Sequence, residues 1–496
     1  MQAASWAIPA PWPQRRVGTF RAAVPWFSMA LAIALLLAGR EAFESLPRPL
    51  IIWGTLAFLS LLAAHGFVTA RAHGMIPWLA PVFAVSIYFL YRYGVGSVAA
   101  NYWHEYRWEV YAPLRLNFFR FGVWHTLPKA CYLILLFGAG MNIGLSLAAA
   151  AGAGPPRGAW AFDERKLKRG VALYAPLALF INSFLQFNLP LTVKFTIALL
   201  GSVIYVFIVL AAYWLFSARN RGERLVWGGF VLAVCAVSMR VGLHTGQLVG
   251  ALLPALMCVC GYIIARGRPP WKLIIPAIPL MILVVLPLLS IYKQAGRRNL
   301  DTAQRVKDSI VKFDRLGTSG RMELSLERGV MRFAGVNMPA VYSRFYPDIF
   351  PYEYGKTLLF EASALVPRAL WPEKPFTSYE LNHYPVRLGL VRKDHVTTAI
   401  FDAMSEYYLN FGPIGTFVLA ILHGLYLQLL YNWLVLHVNP VIGYAMTAVV
   451  LATNEDFYGI GLLLESHAKS LPVWLLLLYL LGRQRTKKKY ATRTAA

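Results

Sequence analysis

Residues 121–152 read FGVWHTLPKACYLILLFGAGMNIGLSLAAAAG, and after Lys129 no charged residue interrupts the run. About 20 predominantly apolar residues are enough to carry an α-helix across the hydrocarbon core of a bilayer. The run lacks the ten-residue alternation of apolar and polar positions that marks a membrane β-barrel. Comparable runs lie before it at 23–39, 50–70 and 75–91, and after it at 171–190, 192–216, 225–243, 247–265, 273–292, 411–436, 441–460 and 466–482. The sequence therefore predicts an all-α polytopic membrane protein of about 12 transmembrane helices.

Composition removes the alternatives. Of 496 residues, 58% are hydrophobic and 14% charged, with a mean hydropathy of +0.51; a soluble domain carries about 25% charge. A soluble enzyme, a disordered chain and a disulfide scaffold are excluded. The formal charge is +25, and much of it sits in short loops and at the chain ends. Arg15, Arg16 and Arg21 precede the first run, and Arg165, Lys166, Lys168 and Arg169 form the next cluster. Arg219, Arg221 and Arg224 follow, then Arg266, Arg268 and Lys272, and finally Arg483, Arg485, Lys487, Lys488 and Lys489 in the tail. With twelve crossings these clusters share one side, which the positive-inside rule makes cytoplasmic along with both termini. No nucleic-acid motif accompanies the charge, so nucleic acid is not an expected partner. No small-x-small cleavage site precedes Arg40, so the first run is expected to remain as a helix. Cys131, Cys235, Cys258 and Cys260 all lie in apolar runs and read as packing residues.

The same topology places one large loop, residues 293–410, outside the cytoplasm, between membrane portions at 1–292 and 411–496. It holds 17 Lys and Arg and 13 Asp and Glu, 30 of the chain's 71 charged residues. A shorter outer loop, 92–120, interleaves Tyr102, Trp103, Tyr106, Trp108, Tyr111, Phe118 and Phe119 with Arg107, Arg115 and Arg120, a composition suited to the headgroup layer. A transporter is expected to carry ionisable residues at mid-membrane. Here few clear intramembrane charges appear, among them Lys194, Arg240, Glu455 and Asp456, and the charge concentrates in the large loop.

Arg321, Arg328, Arg332, Arg344 and Arg368, with Lys356 and Lys374, lie in that loop. A guanidinium donates two parallel charged hydrogen bonds to phosphate, so a lipid-linked diphosphate matches this chemistry. The bland alternative pairs the same arginines with Glu323, Glu327, Glu353 and Glu361. Thr357 to Leu370 reads as a helix dipping into the interface, closed by Pro367 and Pro372. Asp402 and Glu406 lie four apart just before the run at 411, on one helical face, with His383 and His395 upstream.

The stretch PYEYGKTLLFEASALVPRALWPEKP at 351–375 and the later TTAIFDAMSEYYLNFGPIGT at 397–416 resemble the Wzy-type oligosaccharide repeat-unit polymerases, the O-antigen polymerase-like proteins of bacterial envelopes. The matching positions are Tyr354 to Thr357, Pro367 and Arg368, Trp371 to Pro375, Glu406 and Tyr407, and Asn410 to Gly412. Arg344 and Gly355 also meet the family's Arg-x10-Gly spacing. The resemblance implies a GT-C-like, metal-independent glycosyltransferase without cofactors, in the bacterial inner membrane. Its substrate would be undecaprenyl-diphosphate-linked oligosaccharide at the outer face, with membrane lipids and a chain-length regulator protein as further candidate partners. Arg321, Arg332, Arg344, Arg368 and Lys374 are then the candidates for the diphosphate. Glu406 is the candidate base with His395 second, and Trp371 could stack on a sugar. The rival readings are an O-antigen ligase, a polysaccharide flippase or transporter without covalent chemistry, and a non-catalytic assembly scaffold.

Overall fold

The computed structural model describes residues 18–101, 125–152, 160, 162–183, 200–244, 248–288, 291–292, 302–322, 324–325, 335–366, 370–371, 373, 377–388, 402–453 and 459–483. These residues are all-helical, with no strand among them. In chain order the helices are α1 (Gly18–Glu44), α2 (Arg48–Ala72), α3 (Pro81–Phe89), α4 (Leu127–Ala151), α5 (Glu164–Ser183), α6 (Ile204–Ser217), α7 (Arg221–His244) and α8 (Leu248–Arg266). They continue with α9 (Trp271–Leu280), α10 (Thr302–Arg315), α11 (Asn337–Phe345), α12 (Lys356–Ala364), α13 (Thr377–Arg387), α14 (Ala403–Trp433), α15 (Pro440–Thr453) and α16 (Ile460–Gly482).

Among the described residues nine helices are long and apolar enough to cross a membrane: α1 to α4, α6, α7, α9, α14 and α16. Each of the twelve expected runs is met by a helix, and among the described residues three of these helices are not long and apolar enough to count as candidate spans. α8 and α15 contribute only the shorter apolar stretches Leu252–Arg266 and Pro440–Thr453. α5 opens on Glu164, Arg165, Lys166, Lys168 and Arg169, so its first turns are charged. Two boundaries also move. α3 runs on through the π-turn Leu90–Val95 to Asn101, and α14 starts at Ala403 rather than 411. The aromatic stretch at 102–119 lies outside the described residues.

The centre of the bundle is α4. From Ala130 to Leu145 it is apolar but for Asn142 and buried on every side, as a helix without a polar face must be. α9 is its opposite, with no buried residue and with Leu273, Ile275, Ile278 and Leu280 exposed. α4 packs parallel to α14 through small residues. A Cβ on Gly140 would lie 2.4 Å from the Phe417 carbonyl oxygen, and one on Gly144 would lie 2.0 Å from that of Ile421. Glycines four apart on one face let two backbones approach this closely. Farther along, Asn432 Nδ2 donates to the Ala148 carbonyl at 2.7 Å, and Gln428 Oε1 accepts the Val82 N–H at 3.1 Å. The latter satisfies an orphan donor at the start of α3. His65 on α2 and Asn142 on α4 meet at 3.0 Å, with Asn142 donating onward to Ser28.

The charged groups sort to two ends. Asp163 N–H donates to the Gly482 carbonyl at 2.8 Å, and Lys168 pairs with Glu164 and Glu223. This brings three of the expected basic clusters together at the far end of α16. At the other end, Arg40 and Lys129 both face Asp348, at 3.5 and 3.7 Å. The 23 residues of α16 separate the two ends by roughly 34 Å at 1.5 Å per residue.

Candidate functional site

The two stretches that carry the family resemblance meet at the Asp348 end. Pro413 makes this possible. It has no N–H, so the Leu409 carbonyl, its partner in an unbroken helix, is left free. Gly412 takes φ 66° and ψ −157° inside α14, which breaks the ladder for the next carbonyl as well. The chain before α12 fills both vacant acceptors: Glu353 N–H donates to the Leu409 oxygen at 2.9 Å and Tyr354 N–H to the Asn410 oxygen at 3.0 Å. Tyr354 and Gly355 both adopt positive φ, 48° and 88°, and glycine is the residue that does so without steric cost.

Side chains complete the join. Asn410 Oδ1 accepts the Gly355 N–H at 2.9 Å, and its Nδ2 donates to Thr357 Oγ1 at 2.6 Å and to the Glu406 carbonyl at 2.9 Å. Thr357 Oγ1 in turn donates to Glu406 Oε1 at 2.7 Å. Thr357, Glu406 and Asn410 are all fully buried. Asp402, four residues before Glu406, has a different task. Its carboxylate caps α14 by accepting the Ser405 N–H and also accepts the Tyr93 hydroxyl, each at 2.8 Å. Burial raises its proton affinity, and the Arg92 guanidinium opposes that shift.

Glu361, one turn into α12 and fully buried, faces Glu406. Its Oε2 accepts the Leu462 N–H at 3.0 Å, at the opening turn of α16. Among the described residues no ion pair joins Glu361 to an arginine, the alternative the sequence left open. Burial, and then the neighbouring Glu406, push its carboxyl well above the usual carboxylate range. The start of α16 is shaped around both acids. A Cβ on Gly459 would sit 1.4 Å from Glu406 Oε2, and one on Gly461 would sit 2.2 Å from Glu361 Oε2. Tyr407 Oη accepts the Ile460 N–H at 2.9 Å and meets His423 Nδ1 at 2.9 Å.

Of the residues expected to bind diphosphate, Arg344 is exposed on the last turn of α11, its guanidinium 6.0 Å from the Phe345 ring. Arg321 lies 3.8 Å over the Phe313 ring, and its Nε donates to the Phe313 and Leu316 carbonyls at 3.2 and 2.9 Å. That arrangement closes the end of α10. Trp371 is exposed. Arg332, Arg368, Lys374 and His395 lie outside the described residues. Among the described residues no hydrogen bond joins Arg321, Arg344 or Trp371 to the Glu406 cluster. Arg387, which the sequence reading did not single out, donates to Glu353 at 2.9 Å and stacks 3.8 Å over Phe350. Lys356 reaches the same carboxylate at 3.6 Å.

The arrangement can hold and exchange a proton, since two acids are enclosed together with a hydroxyl and an amide. No group of three or more His, Cys, Asp or Glu suited to a metal ion occurs among the described residues. No curated protein and no solved structure matches the chain. Residues 270–434, a third of the chain running from the threshold of α9 to the end of α14, match a family model described as a domain of unknown function, DUF8712.

Proposed function

We propose that the chain is a membrane-embedded glycosyltransferase that polymerises oligosaccharide repeat units carried on undecaprenyl diphosphate, at the outer face of the bacterial inner membrane. The observation that carries this reading is the closure of Tyr354–Thr357 on Glu406–Gly412 around a buried carboxylate. In the reaction, the acceptor hydroxyl oxygen attacks the anomeric carbon of the donor glycan. The bond to the carrier phosphate breaks, and the diphosphate leaves with the electron pair. The hydroxyl proton passes to Glu406, a role worth about 10²–10⁴ in rate for a general base. Arg332, Arg344, Arg368 and Lys374, with the terminal nitrogens of Arg321, supply charge for the departing diphosphate. Trp371 and His395 keep their proposed roles in sugar stacking and as second base. Glu406 is closed off on all sides, so the acceptor reaches it only when α12 and α16 part.

The finer topology belongs to the same proposal: twelve crossings in a GT-C-like bundle, termini in the cytoplasm and residues 293–410 outside. It is supported by the gathering of basic clusters at the end opposite Asp348. A second reading, proton-coupled export of lipid-linked glycan, is favoured by one observation. Glu406, His423 and His467 are buried inside candidate spans, where ionisable residues usually mark transport paths.

A deletion strain separates the two. Single repeat units accumulating on lipid at the outer face support polymerisation; units held at the inner face support export, and long lipid-linked chains support a ligase. Within the polymerase reading, Glu406→Gln abolishes polymer while the protein remains in the membrane. Normal polymer in that variant places the base elsewhere.

A further inference from the structure

We infer that Glu361 and Glu406 hold one proton between Glu361 Oε1 and Glu406 Oε2, and that Glu361 is the positioning residue that sets the Glu406 carboxylate. The role in catalysis rests on the function proposed above; the shared proton does not.

Four carboxyl oxygens need partners in this contact. Glu361 Oε2 accepts Leu462 N–H and Glu406 Oε1 accepts the Thr357 hydroxyl. Glu361 Oε1 and Glu406 Oε2 are buried, and neither has a hydrogen-bond donor among the described residues. These two groups are nonetheless in contact with each other. Two acceptors facing each other without a donor repel, and a buried polar atom without a partner is costly. A single proton placed between them satisfies both. A cation would be the other remedy, but among the described residues Lys356 on α12 pairs with Glu353 and Lys469 on α16 with Glu465, and no ion pair reaches Glu361 or Glu406. Like-charged carboxyls in contact resolve in this way, one keeping its proton far above the normal range. The raised proton affinity of Glu361 agrees.

The geometry also fixes what glutamine does at each position. In Glu361→Gln the amide oxygen would accept Leu462 N–H and the amide nitrogen would turn toward Glu406. In Glu406→Gln the amide oxygen would accept the Thr357 hydroxyl and the nitrogen would turn toward Glu361. Each single replacement therefore reproduces the donor–acceptor match of the proton-sharing pair. The double replacement sets two amide nitrogens face to face, so the contact loses its match. Titratable groups near the pair are Glu465 on α16, Tyr407 on α14, and Tyr342 and Tyr384 beyond Glu406.

The test measures thermal unfolding of the full-length protein in nanodiscs for wild type, Glu361→Gln, Glu406→Gln, the double Gln variant and Glu361→Ala, with polymer formation assayed in cells. The expected result is that both single Gln variants melt close to wild type, while the double Gln variant and Glu361→Ala melt several degrees lower. Glu361→Gln also keeps most polymer-forming activity with its alkaline limb displaced, whereas Glu406→Gln loses activity. A double Gln variant as stable as the singles, or a Glu361→Gln variant as unstable as Glu361→Ala, overturns the shared proton. Activity retained in Glu406→Gln alongside the expected melting pattern overturns the catalytic reading and leaves the shared proton standing.

Discussion

The two parts of α14, before and after the Gly412–Pro413 break, are held by different physics. At its crossing with α4 the shaft from Gly415 to Asn432 sets glycines against backbone atoms, and its buried Gln428 and Asn432 bond to backbone groups farther along. The cap and opening turns from Asp402 to Asn410 instead spend Asp402, Glu406, Tyr407 and Asn410 on hydrogen bonds to the continuation of α3, to α12, to α16 and to the segment at 353–355. Where only close packing is asked for, small residues suffice. Where three further elements dock, polar groups specify each partner, and the exchangeable protons collect there.

The shaft gives the largest expected effect. Gly144→Val forces side-chain atoms against the Ile421 backbone, which cannot yield as a flexible side-chain end does. Overpacking typically costs about 1–3 kcal/mol and more against backbone, so folded protein is lost from the membrane fraction, as read by fluorescence-detected size exclusion. The opening turns respond differently. In Gly459→Ala the new methyl group overlaps Glu406 Oε2, the end of a side chain that can rotate away. The variant is expected to reach the membrane at near-normal level yet lose polymer formation by about 10²-fold, the scale of a misplaced general base. Folded protein lost in Gly459→Ala and retained in Gly144→Val would invert the contrast.

A smaller effect sharpens the comparison through pH. Glu361 has a folded-state proton affinity above its unfolded value, so the native state keeps a proton that the unfolded chain releases. Its contribution is full at acid pH and is lost as pH rises from the ordinary carboxyl range, about 4.3, through the folded value. The slope reaches at most about 1.4 kcal/mol per pH unit for one proton. Wild type is expected to lose stability with rising pH more steeply than Glu361→Gln in paired denaturation series; parallel curves would remove Glu361 as the source. The smallest change is Pro413→Ala. It returns an N–H that competes for the Leu409 carbonyl, and weakening one buried hydrogen bond costs about 0.5–1.5 kcal/mol. Hydrogen exchange at the Glu353 amide should quicken while that of the α4 amides stays unchanged.

The sequence made the helices legible because their signal is local: an apolar run long enough to span is read from its own residues. It also pointed to Tyr354–Thr357, Glu406 and Asn410 as residues of interest. It offered Glu361 only as one alternative partner for the loop arginines, because a glutamate in an apolar stretch near many arginines looks like half of an ion pair, and its contact with Glu406 gave no local signal. Gly459 and Gly461 gave no signal beyond a turn, since their need for a missing Cβ comes from carboxyl groups about 50 and 100 residues earlier in the chain. Arg321 looked like phosphate chemistry, but its Nε closes the end of α10.

By itself the chain's order of residues determined its all-helical class and its long apolar runs, because hydrophobicity acts over one turn or one span. Only the tertiary structure decided that Glu361 would face Glu406 across the start of α16. That contact depends on how α12, α14 and α16 dock, and docking is set by atoms that no single stretch contains.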